Sequence, residues 1–291
     1  MLTIENQHLR VRVKPLGAEL CSIFSKKLEQ EIMWQPGDEI WNHSSMLLFP
    51  NPGRICRDRT IIDGKVRPAT MHGFAYNQQF EVVNHREDLL TLRLSANDYT
   101  RESYPYEFTL DVTFRLERDV LYQELAVSNK GNRKMYFCLG AHPGFYLPMM
   151  VGESGNDYVL RFDRKQNIKR FATEKGTMLL TGEKTPFLED ATDVQLSEDF
   201  FNGGSILLDG VEADTITLLS LKSGHFVELG IKGFPYMCLW GNPVRNAVIC
   251  IEPWCGTSDL AGTNQVWETK LGIESADIGE TFTRTLSFRA E

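Results

Sequence analysis

A single acidic residue in an apolar run is the strongest candidate for chemistry in this chain. Glu252 stands in the run 248–256, between Ile251 and Pro253, where a strand is expected to end. Because desolvation disfavours the ionised form, such a carboxyl group either has a raised pKa suited to proton transfer or is held by a cation or several donors. Glu252 is therefore a candidate catalytic base, and a structural glutamate paired with an arginine is the alternative.

Two histidines could supply a second proton-transferring group. His72 lies in Met-His-Gly-Phe-Ala (71–75) and His142 in Gly-Ala-His-Pro-Gly-Phe (140–145). Glycines permit backbone angles that other residues avoid, and the proline after His142 disfavours a helix there, so both imidazoles are predicted to lie in loops. An imidazole titrates near neutral pH and can act as acid or base. The other histidines are interpreted as structural or surface residues: His8, His43, His85 and His225.

Arg54 is a candidate ligand-binding residue. It ends the segment Leu-Leu-Phe-Pro-Asn-Pro-Gly-Arg (47–54), an apolar strand that two prolines and a glycine interrupt. A guanidinium group held at a loop mouth suits donation to hydroxyl groups or to a ring oxygen, and pairing with Glu252 or another acid is the alternative. Other basic residues cluster around the turn at 63–64. They form either the solvated face of a hairpin or a binding surface for a phosphorylated ligand. They are Arg57, Arg59, Lys65 and Arg67.

These groups would move protons on a polar molecule, and no motif indicates another chemistry. The sequence contains no glycine-rich dinucleotide fingerprint, phosphate-binding loop, G-x-S-x-G elbow or H-E-x-x-H zinc motif. The six cysteines form no C-x-x-C pair and no metal-ligand spacing with histidine, so neither a metal site nor a cofactor is predicted. Acid–base catalysis without a cofactor is the predicted chemistry.

The elements that must position these residues are predominantly strands. Apolar residues repeat with a period of two, most clearly at 106–116, which is typical of half-buried antiparallel strands. A three-stranded meander of 106–116, 120–128 and 135–139 is predicted. Further strands are predicted at 8–13, 80–83, 90–94, 205–208, 215–219, 226–229, 237–240, 248–252 and 282–288, and short helices at 36–41 and 97–104. The fold class is therefore all-β, an antiparallel β-sandwich or closed β structure, with the site residues at strand ends or in loops.

Length and charge restrict the partners. The 291 residues, 42% hydrophobic, show no linker or repeat, so 1–291 is predicted to form one domain. A formal net charge of -8 argues against nucleic acid or an anionic membrane surface as a partner. The uncharged stretch 135–152 contains prolines and glycines and is not predicted to span a membrane. The charge favours a small molecule as the ligand, and a monomer or homodimer is expected. Without a signal-peptide pattern or paired cysteines, the expected location is the cytoplasm.

Several short segments follow one another in a specific order along nearly the whole chain. They are Trp-Gln-Pro-Gly-Asp (34–38) with Trp41, Leu-Phe-Pro to Gly-Arg (48–54), His-Gly-Phe-Ala (72–75), Tyr-Pro-Tyr (104–106), Leu-Gly-Ala-His-Pro-Gly-Phe (139–145), Leu-Trp (239–240), Cys-Ile-Glu-Pro-Trp (250–254) with Gly256, and Ile-Gly-Glu (278–280). In this order the set resembles the aldose 1-epimerase (galactose mutarotase-like) family, most closely its LacX-like bacterial branch.

The resemblance implies a large twisted β-sandwich, the galactose mutarotase-like supersandwich, with a sugar-binding cleft. It implies an isomerase that interconverts the α and β anomers of an aldohexose. Glu252 would remove the proton of the anomeric hydroxyl, and His142 would protonate the ring oxygen. Arg54 and His72 would bind and polarise the sugar. Trp240, Trp254 and Phe74 could stack on a sugar face or belong to the core. Of these three, Trp240 is our candidate for sugar binding.

Two positions depart from the family pattern. The LacX-like pattern usually has an arginine after His-Gly-Phe-Ala, where this chain has Tyr76. Family members tend to carry an acidic sugar-binding residue before the strand at 205–208, where this chain reads Phe-Asn-Gly-Gly (201–204). Recognition of sugar hydroxyls is therefore expected to differ more than proton transfer. A hexose-6-phosphate 1-epimerase and a non-catalytic sugar-binding or sensing protein are the alternatives, whereas a sandwich-fold glycosidase would need a second catalytic carboxylate.

Overall fold

The protein is built almost entirely from antiparallel strands. The computed structural model describes residues 1–37, 41–242 and 247–291. The strands are β1 (Leu2–Glu5), β2 (Leu9–Lys14), β3 (Glu19–Ser25), β4 (Gln30–Glu31), β5 (Ser45–Leu48), β6 (Arg59–Ile62), β7 (Lys65–Pro68), β8 (Glu81–His85), β9 (Leu89–Ser95), β10 (Phe108–Glu117), β11 (Val120–Asn129), β12 (Met135–Phe137), β13 (Leu139–Tyr146), β14 (Tyr158–Thr173), β15 (Leu180–Gln195), β16 (Ile206–Asp209), β17 (Thr215–Ser220), β18 (Phe226–Gly230), β19 (Tyr236–Gly241), β20 (Val248–Cys255), β21 (Glu274–Ala276) and β22 (Thr281–Ala290). The predicted all-β class is confirmed.

Within the described ranges, fourteen of these strands join in one large sheet. Their order is β5-β13-β20-β19-β16-β14-β17-β18-β22-β11-β10-β9-β8, with β15 added to β14. Strands β1 to β4 form a second sheet, and β6–β7 and β12–β21 form two-stranded pairs. In β10 the side chains alternate between buried and partly exposed along the whole strand, which confirms the predicted period of two. The buried face of β10 belongs to a core that extends through most strands of both larger sheets.

The third strand of the predicted meander was placed wrongly. Strands β10 and β11 pair as predicted, but the other edge of β11 pairs with β22. Strand β12 pairs with β21 instead. The side chain of Asn129 donates to the carbonyls of Arg133 and Ala276, which directs the chain away from the sheet after β11. The local pattern gave no sign that the C-terminal strand returns to this edge.

The one predicted helix that lies wholly in the described residues is confirmed as α1 (Asp98–Ser103). Asn97 caps it, because its side chain accepts from the backbone N–H of Thr100 while the Thr100 hydroxyl accepts from the backbone N–H of Asn97. The helix predicted at 36–41 includes 38–40, which lie outside the described residues. Short 3-10 turns cover Cys56–Asp58, Ala75–Asn77, Gly155–Asp157 and Trp267–Thr269. In the part of the chain that the structure describes, no helix has the length and apolarity needed to cross a membrane.

The prediction that the site residues lie at strand ends or in loops was wrong for two of them. His142 lies inside β13 and Glu252 inside β20, and these strands are neighbours within the large sheet. The glycines beside His142 do not form a bend, because neither has a positive φ. His72 does lie in a turn, as predicted, with a φ of 65°. The two residues proposed for proton transfer are therefore held by the hydrogen-bond ladder of the sheet.

Candidate active site

His142 and Glu252 face each other across neighbouring strands. Strands β13 and β20 are antiparallel, and Gly144 pairs with Cys250, two residues from each of them. Since side chains alternate along a strand, His142 and Glu252 leave the same face of the sheet directly opposite one another. Nε2 of His142 lies 3.2 Å from Oε1 of Glu252. The sheet register therefore creates the contact between the predicted acid and the predicted base.

Two glycines around His142 leave room for indole rings. A Cβ atom at Gly140 would lie 2.8 Å from Cδ1 of Trp254, and one at Gly144 would lie 2.6 Å from Cζ3 of Trp41. Both distances are too short for carbon atoms in contact. The spacing Gly-x-His-x-Gly thus allows an aromatic ring to pack against the strand on either side of His142.

Burial controls the charge of the pair. The side chains of His142 and Glu252 are 8% and 1% exposed. Burial raises the pKa of Glu252 well above its ordinary value, although the neighbouring Cys238 thiol and Trp254 indole lower it in part. Burial, followed by the nearby His72, lowers the pKa of His142 well below its ordinary value. Both shifts favour uncharged groups, so the favoured state has one proton shared by the pair and no net charge.

Three buried polar atoms at the pair have no hydrogen bond of good geometry with the described residues. They are Nδ1 of His142, Oε2 of Glu252 and Nε1 of Trp254. Buried polar groups are nearly always hydrogen-bonded, and an unpaired one costs about 1–3 kcal/mol. All three atoms are closed to solvent, so the pair has hydrogen-bonding capacity that the described residues leave unused.

His72 is held beside the pair as a hydrogen-bond donor. Its ring lies edge-on to His142, with centroids 5.5 Å apart. The backbone N–H of Gly53 donates to Nδ1 of His72 at 3.2 Å, so the neutral ring carries its hydrogen on Nε2. Burial lowers the pKa of His72 to about 4, which keeps the ring neutral at neutral pH. His72 can thus polarise a ligand oxygen without a charge of its own.

Arg54 lies on the loop next to His72, but among the described residues its guanidinium group is not bonded to His142 or Glu252. It bonds instead to Asp58, with Nη2 3.4 Å from the carboxylate, and the Arg54 side chain is 40% exposed. The backbone of Arg54 is fixed more firmly than its side chain. Its N–H donates to Oγ of Ser258 at 3.0 Å, and its carbonyl accepts from the N–H of Asp259 at 2.8 Å.

Aromatic rings cover His142. Trp41 stacks on the imidazole, with centroids 4.8 Å apart and an interplanar angle of 26°. Trp240, on β19, meets the imidazole edge-on at 6.3 Å and lies 6.1 Å from Trp41. Both indoles are partly exposed. Trp240 therefore lies beside the proposed acid, and its role in sugar binding stays a prediction, whereas Trp41 was not predicted as a site residue.

His43 also lies close to the site, although the sequence analysis interpreted it as structural. Its ring is 6.1 Å from Trp41 and perpendicular to Tyr76 at 6.0 Å. Nδ1 of His43 lies 3.3 Å from the buried carboxylate of Glu19. The short segment Trp-Asn-His (41–43) has no glycine or proline to suggest a functional bend, so nothing in it distinguished His43 from a surface histidine.

The basic residues around the turn at 63–64 do not converge on a common point. Arg54 pairs with an acid, Arg59 bonds to a glutamine, and Arg67 donates to carbonyls at the end of α1. Arg57 and Lys65 form no ion pair with residues that the structure describes. The described histidines, cysteines and acids also contain no group of three or more arranged to hold a metal ion.

Comparison with known proteins agrees with the fold. Residues 1–271 match the family model described as aldose 1-epimerase. The chain is 31% identical over 277 residues to the plasmid and chromosomal forms of protein LacX from Lactococcus lactis subsp. lactis, covering 92% of this chain and 92% of each relative. A galactose mutarotase related enzyme from Lactobacillus acidophilus has a TM-score of 0.94 and 30% identity, covering 99% of this chain and 96% of that one. A galactose mutarotase-like protein from Lactobacillus casei ATCC 334 has a TM-score of 0.92 and 29% identity, covering 100% of both. The predicted galactose mutarotase-like architecture is confirmed.

Proposed function

We propose that this chain, which belongs to the aldose 1-epimerase family, is an isomerase that interconverts the α and β anomers of an aldohexose. The observation that supports this most directly is the 3.2 Å contact between Nε2 of His142 and Oε1 of Glu252 in a buried site. Opening a cyclic hemiacetal requires one oxygen to lose a proton while another gains one. A pair that shares a single proton offers a base and an acid at the same place.

The charge state of the pair suggests how the reaction proceeds. Transfer of the shared proton from Glu252 to His142 gives a carboxylate and an imidazolium. The carboxylate removes the proton of the anomeric hydroxyl, the bond between C1 and the ring oxygen breaks, and the imidazolium protonates that oxygen. The product is the open-chain aldehyde, and Glu252 is again protonated and His142 neutral. Rotation about the C1–C2 bond and the reverse steps on the other face give the other anomer.

The surrounding residues would bind and orient the sugar. We assign the Nε2–H of His72 as a donor to a sugar oxygen, Trp240 as a stacking surface, and Arg54 as a second donor from its loop. Arg54 must leave Asp58 to do so, but an exposed ion pair of this kind is worth only about 0–1 kcal/mol. One domain over 1–291, a cytoplasmic location, and a monomeric or homodimeric state remain predictions.

Polarimetry tests the proposal. Freshly dissolved α-D-glucose and α-D-galactose are followed in a buffer that catalyses mutarotation weakly, with wild type and Glu252→Gln. The variant keeps the shape of the side chain but cannot remove a proton, so we expect it to lose about 10²- to 10⁴-fold of the acceleration. The matched control is Glu228→Gln, because Glu228 is a partly exposed glutamate on β18 with no described ion pair, and it should behave as wild type.

Each contrary result has a distinct meaning. Full activity of Glu252→Gln would refute the assigned base. Acceleration of glucose 6-phosphate but not of the free hexoses would favour the hexose-6-phosphate 1-epimerase. If wild type accelerates none of these sugars but binds one of them, the proposal fails and a non-catalytic sugar-binding protein is favoured.

A further inference from the structure

A second carboxylate–imidazole pair, Glu19 and His43, lies beside the candidate active site. Glu19 is buried, and its Oε1 lies 3.3 Å from Nδ1 of His43 and accepts the backbone N–H of Ser44 at 2.8 Å. Its Oε2 lies 3.3 Å from Nζ of Lys14. Burial alone would raise the pKa of Glu19, but the hydrogen bonds from His43 and Ser44 and the nearby positive charges lower it overall. Glu19 is therefore an ionised carboxylate that fixes the orientation of His43.

His43 is partly exposed and lies next to the candidate active site. A third of its side chain is exposed, 33%. On one side its ring contacts Trp41, which itself stacks on His142. On the other side it contacts Tyr76, which packs with Trp254 and its neighbours in one apolar cluster. Trp41 therefore contacts both imidazoles.

The hydrogen bond to Glu19 determines what His43 can offer a ligand. Because Nδ1–H donates to an ionised carboxylate, the neutral ring has a bare Nε2, which is an acceptor. A hydroxyl group of a ligand in the site can donate to it. His72 has the opposite tautomer, with Nδ1 occupied as an acceptor and Nε2 available as a donor. The two histidines therefore present complementary groups to a molecule rich in hydroxyls.

We propose that His43, oriented by Glu19, is a sugar-binding residue that accepts a hydrogen bond from one hydroxyl group of the bound aldose and thereby selects among aldoses at that carbon. The proposal rests on the function proposed above and deepens it, since it names a residue that distinguishes substrates. His43 takes no part in the proton transfers of His142 and Glu252, so its loss affects binding of the sugar more than the rate of the bound complex.

A purely structural role is the competing explanation, because the pair also anchors the chain at the start of β5. The variant His43→Asn separates the two roles. The Asn amide can still donate to Glu19 from near the position of Nδ1, but Asn has no acceptor at the position of Nε2. The matched control is His8→Asn, because His8 is an exposed histidine between β1 and β2 in the four-stranded sheet. A third variant, His43→Gln, places its amide near Nε2 and should restore part of the lost activity.

The assay is the kcat/KM for mutarotation of the best aldohexose and of its 2-, 3-, 4- and 6-deoxy analogues. We expect His43→Asn to lower kcat/KM for the parent sugar about tenfold, mainly through KM. For one deoxy sugar, which lacks the partner hydroxyl, wild type and variant should be nearly equal, while the other analogues lose as much as the parent. The control His8→Asn should match wild type for every sugar.

The outcomes distinguish this proposal from the one on which it rests. An equal loss for all sugars, or no loss, overturns the role of His43 while the mutarotase function stands. If His43→Asn does not fold, the same comparison is made with His43→Gln, for which an equal loss on every sugar again overturns it. If wild type accelerates none of the sugars, both proposals fall together.

Discussion

Lys270 and Asp259 form an ion pair whose removal should destabilise the loop that holds Arg54. Their side chains are 3% and 9% exposed, and Nζ lies 2.5 Å from Oδ1. The other carboxylate oxygen of Asp259 accepts the backbone N–H of Cys56 at 2.9 Å, and the backbone N–H of Asp259 donates to the carbonyl of Arg54. One carboxylate thus connects the segment at 54–56 with the segment that contains Lys270.

The expected magnitude follows from this burial. Replacing Lys270 by Met leaves the Asp259 carboxylate without its ammonium partner, and breaking a buried pair in this way costs about 3–5 kcal/mol. The bond from Cys56 remains, so we expect a loss of about 3 kcal/mol in the free energy of unfolding. Adding Asp259→Asn removes the charge and keeps an oxygen for Cys56. The double variant should therefore recover about 1–2 kcal/mol relative to Lys270→Met.

Urea unfolding of the wild type, both single variants and the double variant measures this coupling. The control is Lys165→Met, because Lys165 pairs with Asp190 on the surface, where the side chains are 65% and 77% exposed. That change should cost about 0–1 kcal/mol. Additive losses in the Lys270–Asp259 cycle, or a loss for Lys270→Met no larger than that of the control, would refute the argument that the buried charge needs its partner.

Three further predictions concern the site itself. In a pH–rate profile, activity should fall on the acid side where the pair binds a second proton, and the lowered pKa of His142 should place this fall below the ordinary histidine range. Activity should fall on the alkaline side where the pair loses its shared proton, and the raised pKa of Glu252 should move this fall to higher pH. Because the pKa of His72 falls from 6.5 to about 4 on folding, the unfolded chain binds more protons between these values, so stability should decrease by about 3 kcal/mol as the pH falls through this window. Urea unfolding of His72→Gln should show a correspondingly smaller decrease, and an equal decrease would contradict the assignment. In Gly144→Ala the new Cβ would lie 2.6 Å from Trp41, so we expect a loss of about 1–3 kcal/mol and altered tryptophan fluorescence, whereas Gly262→Ala, with nothing within 4 Å, should show neither change.

The sequence predicted those strands whose exposed and buried faces differ in polarity. The alternation in β10 identified the strand and its buried face. The longest hairpin, β14 with β15, was not predicted, although each strand has 16 residues. Much of β15 is exposed, and charged side chains such as Arg161 and Asp193 pair across the hairpin where a half-buried strand would carry an apolar face. Such a strand shows no two-residue period of apolar side chains, so the sequence pattern does not predict its pairing.

For the site, residue types could be predicted better than local structure. Glu252 stood out because a charged residue in an apolar run needs an explanation. His142 was found through its glycines, but for the wrong reason, since these make room for the rings of Trp41 and Trp254 instead of bending the chain. Trp41 and His43 reach the site through contacts with residues distant in sequence, which no local pattern could indicate.

The location of His142 and Glu252 within the ladder affects how the protein should lose activity on heating. Each lies on a strand bonded to neighbours on both sides, β13 between β5 and β20, and β20 between β13 and β19. Their amide groups should be among the slowest to exchange with deuterium, because exposure requires the sheet itself to open. The 3.2 Å contact between the proposed acid and base is already formed within the sheet. Thermal inactivation should therefore coincide with cooperative melting of the sheet, whereas enzymes that assemble their catalytic groups on mobile loops can lose activity well before they unfold.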